Sequence, residues 1–293
     1  MSLLRLGVVI VTMGTRPREL EALLTSVEVQ QAPATRVILV GNAAPLTDMK
    51  FADNVTTVPL EENLGCPGGR NVGLRMLSDS GDVDVVIELD DDGLLVADDV
   101  FSTVRRLFAA DPQLGIVGFR VADEQGHTER RWVPRLRARD PLRGGLVTSF
   151  LGGGHAFSMS MLNQVGLWPA EFFFGHEESD LAWRALDNDW KILYEPKLVL
   201  QHPATSPDRH AVYYRYTARN RVWLARRRLP VLLVPVYLCV WILLTMARTR
   251  SMSGIKAWWG GFFEGVREPC GLRKPMRWRT VLRMSRLGRP PIL

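Results

Sequence analysis

Four short apolar runs, each closed by a polar or glycine-bearing turn, limit the folds open to this chain more than any other feature. Residues 6–12, 37–40, 55–60 and 83–89 are rich in Val, Ile and Leu and too short for helices, which fits strands buried on both faces. Between the first two, Pro17 suits a first helical turn, and Leu20, Leu23, Leu24 and Val27 recur at helical spacing. Gly68-Gly69-Arg70-Asn71 opens a second helix toward Met76. This β-α-β-β-α-β order predicts an α/β fold built on a mostly parallel sheet.

In such sheets ligands sit beyond the carboxyl ends of the strands. Thr12 to Arg16, Asn42 and its neighbours, and Asp90-Asp91-Asp92 are therefore expected on one edge. A second block holds an apolar run at 116–121, the turn Gly152-Gly153-Gly154, a helix near 180–186 and a last strand at 197–200 that delivers His202.

Three adjacent aspartates at the end of an apolar strand raise one another's pKa unless a positive charge sits among them. Hard oxygen ligands suit Mg²⁺ or Mn²⁺, ions that also bind phosphates; the competing reading is a solvated acidic turn. Alternation puts Asp90 and Asp92 on one side and Asp91 on the other. A second acidic group, Glu177-Glu178-Ser179-Asp180, follows Phe172-Phe173-Phe174. It reads either as helix capping or as a carboxylate made more basic by an apolar wall.

Taken in order, Thr12 with Arg16, Asn63-Leu64-Gly65 with Gly69-Arg70-Asn71-Val72-Gly73, Leu89-Asp90-Asp91-Asp92, Gly152-Gly153-Gly154, Glu177-Glu178-Ser179-Asp180-Leu181 with Arg184, His202 and Arg219-Asn220 resemble the motifs of family 2 glycosyltransferases over roughly residues 5–225. The resemblance implies a GT-A fold and an inverting transfer of a sugar from a nucleotide diphosphate, UDP or dTDP. It places Asp90 and Asp92 at the ribose and a metal-bound diphosphate, with His202 completing the metal set and Glu178 as the base. Thr12, Arg16, Asn42, Arg70, Asp90 and Asp91 make up the implied donor side. Gly153, Trp168, His176 and Glu177 fall to the acceptor side by location. The chain departs from the family pattern at Gly41-Asn42, where an Asp is common, at Glu178, one methylene longer than the usual Asp, and at Cys66-Pro67 within the glycine-rich loop.

Charge divides the chain. Its 293 residues carry a net +6, yet residues 1–203 sum to −9 and residues 204–293 to +15. An apolar content of 46% excludes disorder, and three cysteines exclude a disulfide scaffold and suggest a reducing compartment. No secretory signal is legible at the start. A catalytic domain is expected over 1–205 and a basic, apolar, helical region over 206–293.

Within that region the apolar run 229–247 is flanked by arginines and interrupted by Pro235. A helix of this length could cross a bilayer, but it would leave Arg267 to Arg289 on the far side, against the positive-inside tendency. The favoured expectation is helices lying in the anionic cytoplasmic leaflet, with Trp241, Trp258, Trp259 and Trp278 at headgroup level and arginines on lipid phosphates. Aromatic pairs beside a long apolar run speak for lipid over nucleic acid. The expected acceptor is a lipid-linked glycan, as in the galactofuranosyl- and rhamnosyl-transferases of bacterial cell-wall assembly. Direct transfer to polyprenyl phosphate, a non-catalytic nucleotide-sugar- or glycan-binding module and a nucleotidyltransferase are the rivals.

Overall fold

The computed structural model describes residues 3–46, 51, 54–136, 140–203 and 211–293. In chain order its elements are β1 (Leu6–Thr12), α1 (Pro17–Glu28), β2 (Arg36–Gly41), β3 (Val55–Pro59), α2 (Gly65–Ser80), β4 (Val85–Asp90) and β5 (Leu94–Leu95), then α3 (Val100–Ala110), β6 (Leu114–Ala122), β7 (Gly145–Leu146), β8 (Gly154–Ser158), α4 (Met159–Val165), α5 (Glu177–Asp187) and β9 (Lys191–Gln201). Four helices follow: α6 (Ala211–Arg228), α7 (Leu233–Arg248), α8 (Met252–Arg267) and α9 (Trp278–Arg286).

The described strands form one nine-stranded sheet in the order β3-β2-β1-β4-β8-β6-β9-β5, with β7 paired to β9. The quartet β3-β2-β1-β4 is wholly parallel, as the apolar runs predict. β8 then runs antiparallel between β4 and β6, while β6 and β9 are parallel. This reversal brings the Gly152–Gly154 turn beside Asp90, whose N–H donates to the Gly153 carbonyl at 3.0 Å.

Side-chain alternation divides the core between the two faces of the sheet. Val8 and Ile10 of β1 pack with Leu20, Leu23, Phe101 and Val104 from α1 and α3. Val9 faces the other way, toward Leu74 and Leu77 of α2, Leu181 of α5 and Trp223 and Leu224 of α6. Met276, Val281 and Met284 lie in that same cluster.

The boundary expected at 205 falls among residues 204–210, outside the described residues, and it does not separate two cores. Asn220 of α6 donates to the carbonyls of Phe172, Phe174 and Gly175 at 2.8 to 2.9 Å, and Arg228 pairs with the fully buried Asp180 of α5. Residues 276–293 likewise return to the body, where Arg283 donates to the Trp190 carbonyl at 2.9 Å. Several arginines of the basic tail thus bond the protein itself. Arg226, Arg227, Arg228, Arg273, Arg277 and Arg279 donate to carbonyls and carboxylates of the protein itself.

α7 is the exception to this packing. Of its 16 residues only Tyr237 is buried, and Val236 and Leu243 stand in solvent, as do Val231 and Leu232 just before it. Among the described residues no helix is long and apolar enough to cross a membrane. Trp278 is exposed, whereas Trp258 is buried and stacked on Phe262 at 5.4 Å, so its ring is not free at the surface.

Candidate active site

β4 ends at Asp90, and the turn after it distributes the three aspartates among different partners. Asp91 turns back to β1 and accepts from Thr12 Oγ1 at 2.6 Å, while that same oxygen accepts from the Gly14 N–H at 2.9 Å. Burial raises the Asp91 pKa, and the Thr12 bond works against it. Arg16 reaches both Asp91 and Asp92. Asp92 faces His202, with Oδ1 3.1 Å from Nε2. Burial would raise its pKa too, but the His202 bond and charge, with Arg16, hold it below the ordinary range.

His202 carries a constraint of its own. Its Nδ1 lies 2.9 Å from the Pro203 carbonyl, an acceptor only, so Nδ1 holds the proton. Nε2 then presents a lone pair to Asp92, and two lone pairs 3.1 Å apart require a proton or a cation between them. The Asp92 bond raises the His202 pKa against the effect of burial. One ligand atom each of Asp90, Asp92 and His202 lies within 4.8 Å of the others. This oxygen-oxygen-nitrogen set fits a divalent cation, as the sequence predicts.

Arg70 ties this edge to the second acidic group. It is 2% exposed, and its Nη2 donates at 2.6 Å both to Asp90 Oδ1 and to the Gly152 carbonyl. Gly152 in turn abuts Glu178, since a Cβ built there would lie 2.5 Å from Glu178 Oε1. Asp90, Arg70, Gly152 and Glu178 therefore form one continuous wall. Burial raises the pKa of Glu178, which sits in the first turn of α5. Glu177 beside it is 3% exposed, and burial with the neighbouring Glu178 pushes it up to about 8. Asp180, clamped by Arg184 and Arg228, is a structural ion-pair partner.

Next to the aspartates lies a cavity of about 550 Å³, lined by Thr12, Arg16, Asn63, Cys66, Phe173 and Tyr216 among others. Phe173 stacks on Tyr216 at 5.4 Å, so the aromatic run forms a wall of this cavity. Its seat depends on Gly65, at φ 73°, where a Cβ would strike the Phe173 carbonyl oxygen at 2.3 Å.

Several sequence expectations are corrected here. Asn42 borders the cavity, but its amide is engaged internally: Nδ2 donates to Asn63 Oδ1 at 3.0 Å and Oδ1 accepts from Leu64 N–H at 2.9 Å. It shapes the loop and leaves no free edge for a nucleobase. On the acceptor side only Gly153 borders the metal set, its Cβ position lying 3.5 Å from Asp90 Oδ2. Trp168 is 3% exposed and packs among Phe150, His155 and Phe157. His176 caps α5 in a left-handed conformation and borders a different cavity, and Glu177 is buried beneath the helix start.

Two residues went unmarked in the sequence. Glu88 and His155, both 0% exposed, meet at 2.8 Å beneath the glycine turn, and Trp168 Nε1 donates to Glu88 at 3.0 Å. A carboxylate inside the run Val85-Val86-Ile87-Glu88-Leu89 was the available signal, since a buried charge requires a partner.

No protein-family model matches the chain, and no curated protein matches it in sequence. Solved structures do. The chain is similar to GalNAc-T7, solved with UDP, GalNAc and Mn²⁺, with a TM-score of 0.64 and 15% identity over 88% of this chain and 54% of that one. It is similar to TarS 1-349 of S. aureus in complex with UDP-GlcNAc, with a TM-score of 0.60 and 14% identity over 90% and 81% of the two chains. A third is the mannosyltransferase PcManGT from Pyrobaculum calidifontis in complex with GDP-Man and Mn²⁺, with a TM-score of 0.52 and 18% identity over 97% and 84%. The chain spans about half the length of the GalNAc-T7 chain. The fold is GT-A.

Proposed function

We propose that this GT-A chain is a metal-dependent glycosyltransferase of the family 2 type that moves a sugar from a nucleotide diphosphate to an acceptor hydroxyl with inversion. The observation that carries the reading is the wall from the Asp90–Asp92–His202 set through Arg70 and Gly152 to Glu178. This wall links side chains able to hold a cation to a carboxylate of raised pKa, and its Asp90 end borders a cavity of about 550 Å³. The three similar structures were solved with nucleotides or nucleotide sugars, two of them with Mn²⁺.

A cation held by Asp90, Asp92 and His202 would offset the charge that develops on the departing diphosphate. One imidazole among the oxygens tilts the choice toward Mn²⁺ over Mg²⁺. Phe173 and Tyr216 offer a face against which a nucleobase stacks. Arg70 fixes the Asp90 carboxylate and the Gly152 carbonyl in one orientation, so the donor and the base keep their separation. As the anomeric carbon–oxygen bond to the diphosphate breaks, the acceptor oxygen bonds to that carbon from the opposite face. Glu178 takes the hydroxyl proton. Burial favours this, because a raised pKa makes the carboxylate a stronger base.

The acceptor is proposed to be a lipid-linked glycan at the cytoplasmic face of a membrane. The support is α7, an apolar helix too short to span and buried only at Tyr237, which is suited to lie in a leaflet. The test is a panel of UDP-, dTDP- and GDP-sugars scored for Mn²⁺-dependent thermal stabilisation and for release of the nucleoside diphosphate with a lipid extract as acceptor. Stabilisation by one donor class, lost in Asp92→Asn, is the expected result. Absence of any Mn²⁺-dependent donor binding overturns the reading, and release of pyrophosphate would identify nucleotidyl transfer.

A further inference from the structure

Against α5 lies a second cavity of about 210 Å³, whose lining includes none of Asp90, Asp92 and His202. It is bordered by Arg221, Arg289, Thr148, His176, Tyr237 and Trp241. Its chemistry is unbalanced. Arg221 is 8% exposed, yet among the described residues no Asp or Glu carboxylate pairs with it or with Arg289, whereas the nearby Arg227 and Arg228 pair with Glu171 and Asp180.

Four buried polar atoms on this cavity have no hydrogen-bond partner among the described residues: Arg221 Nε, Thr148 Oγ1, His176 Nε2 and Trp241 Nε1. Arg289 is partly engaged, donating to Ser149 Oγ at 2.7 Å and to the Leu293 oxygen at 3.4 Å.

A purely structural role accounts for only part of this. Arg221 lies over the Trp241 ring, with Cζ 3.6 Å from its centroid, and Tyr237 stands beside it. Such stacking satisfies the face of a guanidinium. On its edge the guanidinium bonds the Tyr237 side chain, while its Nε–H has no partner among the described residues. Water could bond the hydroxyl and the indole N–H, but it does not balance the buried Arg221 guanidinium, a cost met by an opposite charge; Arg289 is half-buried and already lies against the oxygen of the terminal residue, Leu293. Burial depresses the pKa of His176, and the two arginines depress it further, so the imidazole is neutral and open to donate or accept.

We propose that this cavity is an oxyanion site for a phosphate group, held by the Arg221 fork with Thr148 Oγ1, Trp241 Nε1 and Arg289 around it. Donors converging from separate elements suit a tetrahedral anion with several acceptor oxygens, and the space far exceeds that of one water. The cavity lies between two working parts. His176 and Ser179 of its lining flank Glu178 on α5, and Tyr237 and Trp241 belong to α7, whose outer side is apolar and exposed. A phosphate seated here would neutralise the site and brace the helix start that carries Glu178. Its source is free phosphate or the phosphate of a lipid whose chains lie along α7.

The site is separate from the glycosyl-transfer reading and is tested without donor or metal. Full-length protein in EDTA is titrated calorimetrically with sodium phosphate against sodium chloride at equal ionic strength, and in parallel with vesicles of phosphatidic acid against phosphatidylcholine. Arg221→Lys keeps the charge but loses the fork, and Thr148→Val removes one donor at constant shape; circular dichroism melts confirm that both fold. Saturable phosphate binding weakened about tenfold or more by Arg221→Lys and less by Thr148→Val, one good charged contact against one neutral one, supports a free-anion source. Binding confined to phosphatidic acid with the same loss supports a lipid phosphate. No saturable binding in either arm, or binding that both variants leave unchanged, overturns the proposal.

Discussion

Arg70 and Asp90 meet at 2.6 Å, and the same Arg70 nitrogen holds the Gly152 carbonyl at 2.6 Å. A single buried guanidinium thus fixes the distance between the metal-set carboxylate and the turn that abuts Glu178. Arg70→Lys keeps the charge but cannot reproduce the planar fork. It is expected to lower Mn²⁺ affinity or turnover by about 10- to 100-fold, as for other residues that orient metal ligands. Manganese electron paramagnetic resonance and steady-state kinetics check this; unchanged values would show that Asp90 needs no such support.

Glu178→Gln removes the proton acceptor and leaves the donor cavity intact. Turnover is expected to fall by about 10² to 10⁴ fold with donor affinity preserved. Gly152→Ala is the companion variant: its methyl would meet Glu178 Oε1 at 2.5 Å and displace a mobile side-chain end rather than backbone. It should cost turnover while changing the melting temperature little. Substantial activity in Glu178→Gln would instead favour a phosphate acceptor, which needs no base.

Glu177 and Glu178 also set a pH signature. Glu177 lies at about 8 in the folded chain against an ordinary 4.5, because of burial and then Glu178. An acid raised on folding favours its protonated form, so the stability it contributes is whole below 4.5 and is lost as pH rises through about 8. The melting temperature should therefore decline between about pH 4.5 and pH 8 and level off above that, and Glu177→Gln should flatten that decline. Turnover should rise with pH along a limb above the usual carboxylate range, since Glu178 must be ionised to act and its pKa is raised by burial.

The apolar surface at α7 is tested by substitution, because removing residues 229–293 would also strip Met276, Val281 and Met284 from the core. Leu232 and Leu243 are each 70% exposed. A buried Leu contributes about 1.5 to 3 kcal/mol. Changing both to Glu should therefore lower cosedimentation with anionic vesicles by about tenfold or more without altering the melting temperature. Unchanged sedimentation would place the membrane contact elsewhere.

Although His202 as their partner came only with the family resemblance, the parallel quartet of strands, the edge on which Thr12, Arg16 and the aspartates gather, and the need of Asp90 and Asp92 for a counter-charge were legible in the residues themselves. Each follows from a local rule: apolar runs mark buried strands, alternation assigns faces, and adjacent carboxylates call for a counter-charge. Asn42 and Trp168 were misread because type and position along the chain do not reveal whether an amide or an indole N–H is already bonded within the protein. The burial of Trp258 and the inward bonds of several tail arginines were not legible for a related reason. A basic, aromatic stretch looks the same whether it faces lipid or the body of its own chain.

What the sequence by itself determined is the order of elements and the kinds of side chain delivered to the strand ends, since periodicity and turn chemistry act over a few residues. What only the tertiary structure decided is which groups meet. β8 runs antiparallel beside β4, so the glycine turn reaches Asp90. α6 folds back to hold the loop before Glu177, and Arg221 is left facing a cavity that no Asp or Glu lines. Those contacts join residues far apart along the chain, and their energies depend on burial and distance, which no local pattern encodes.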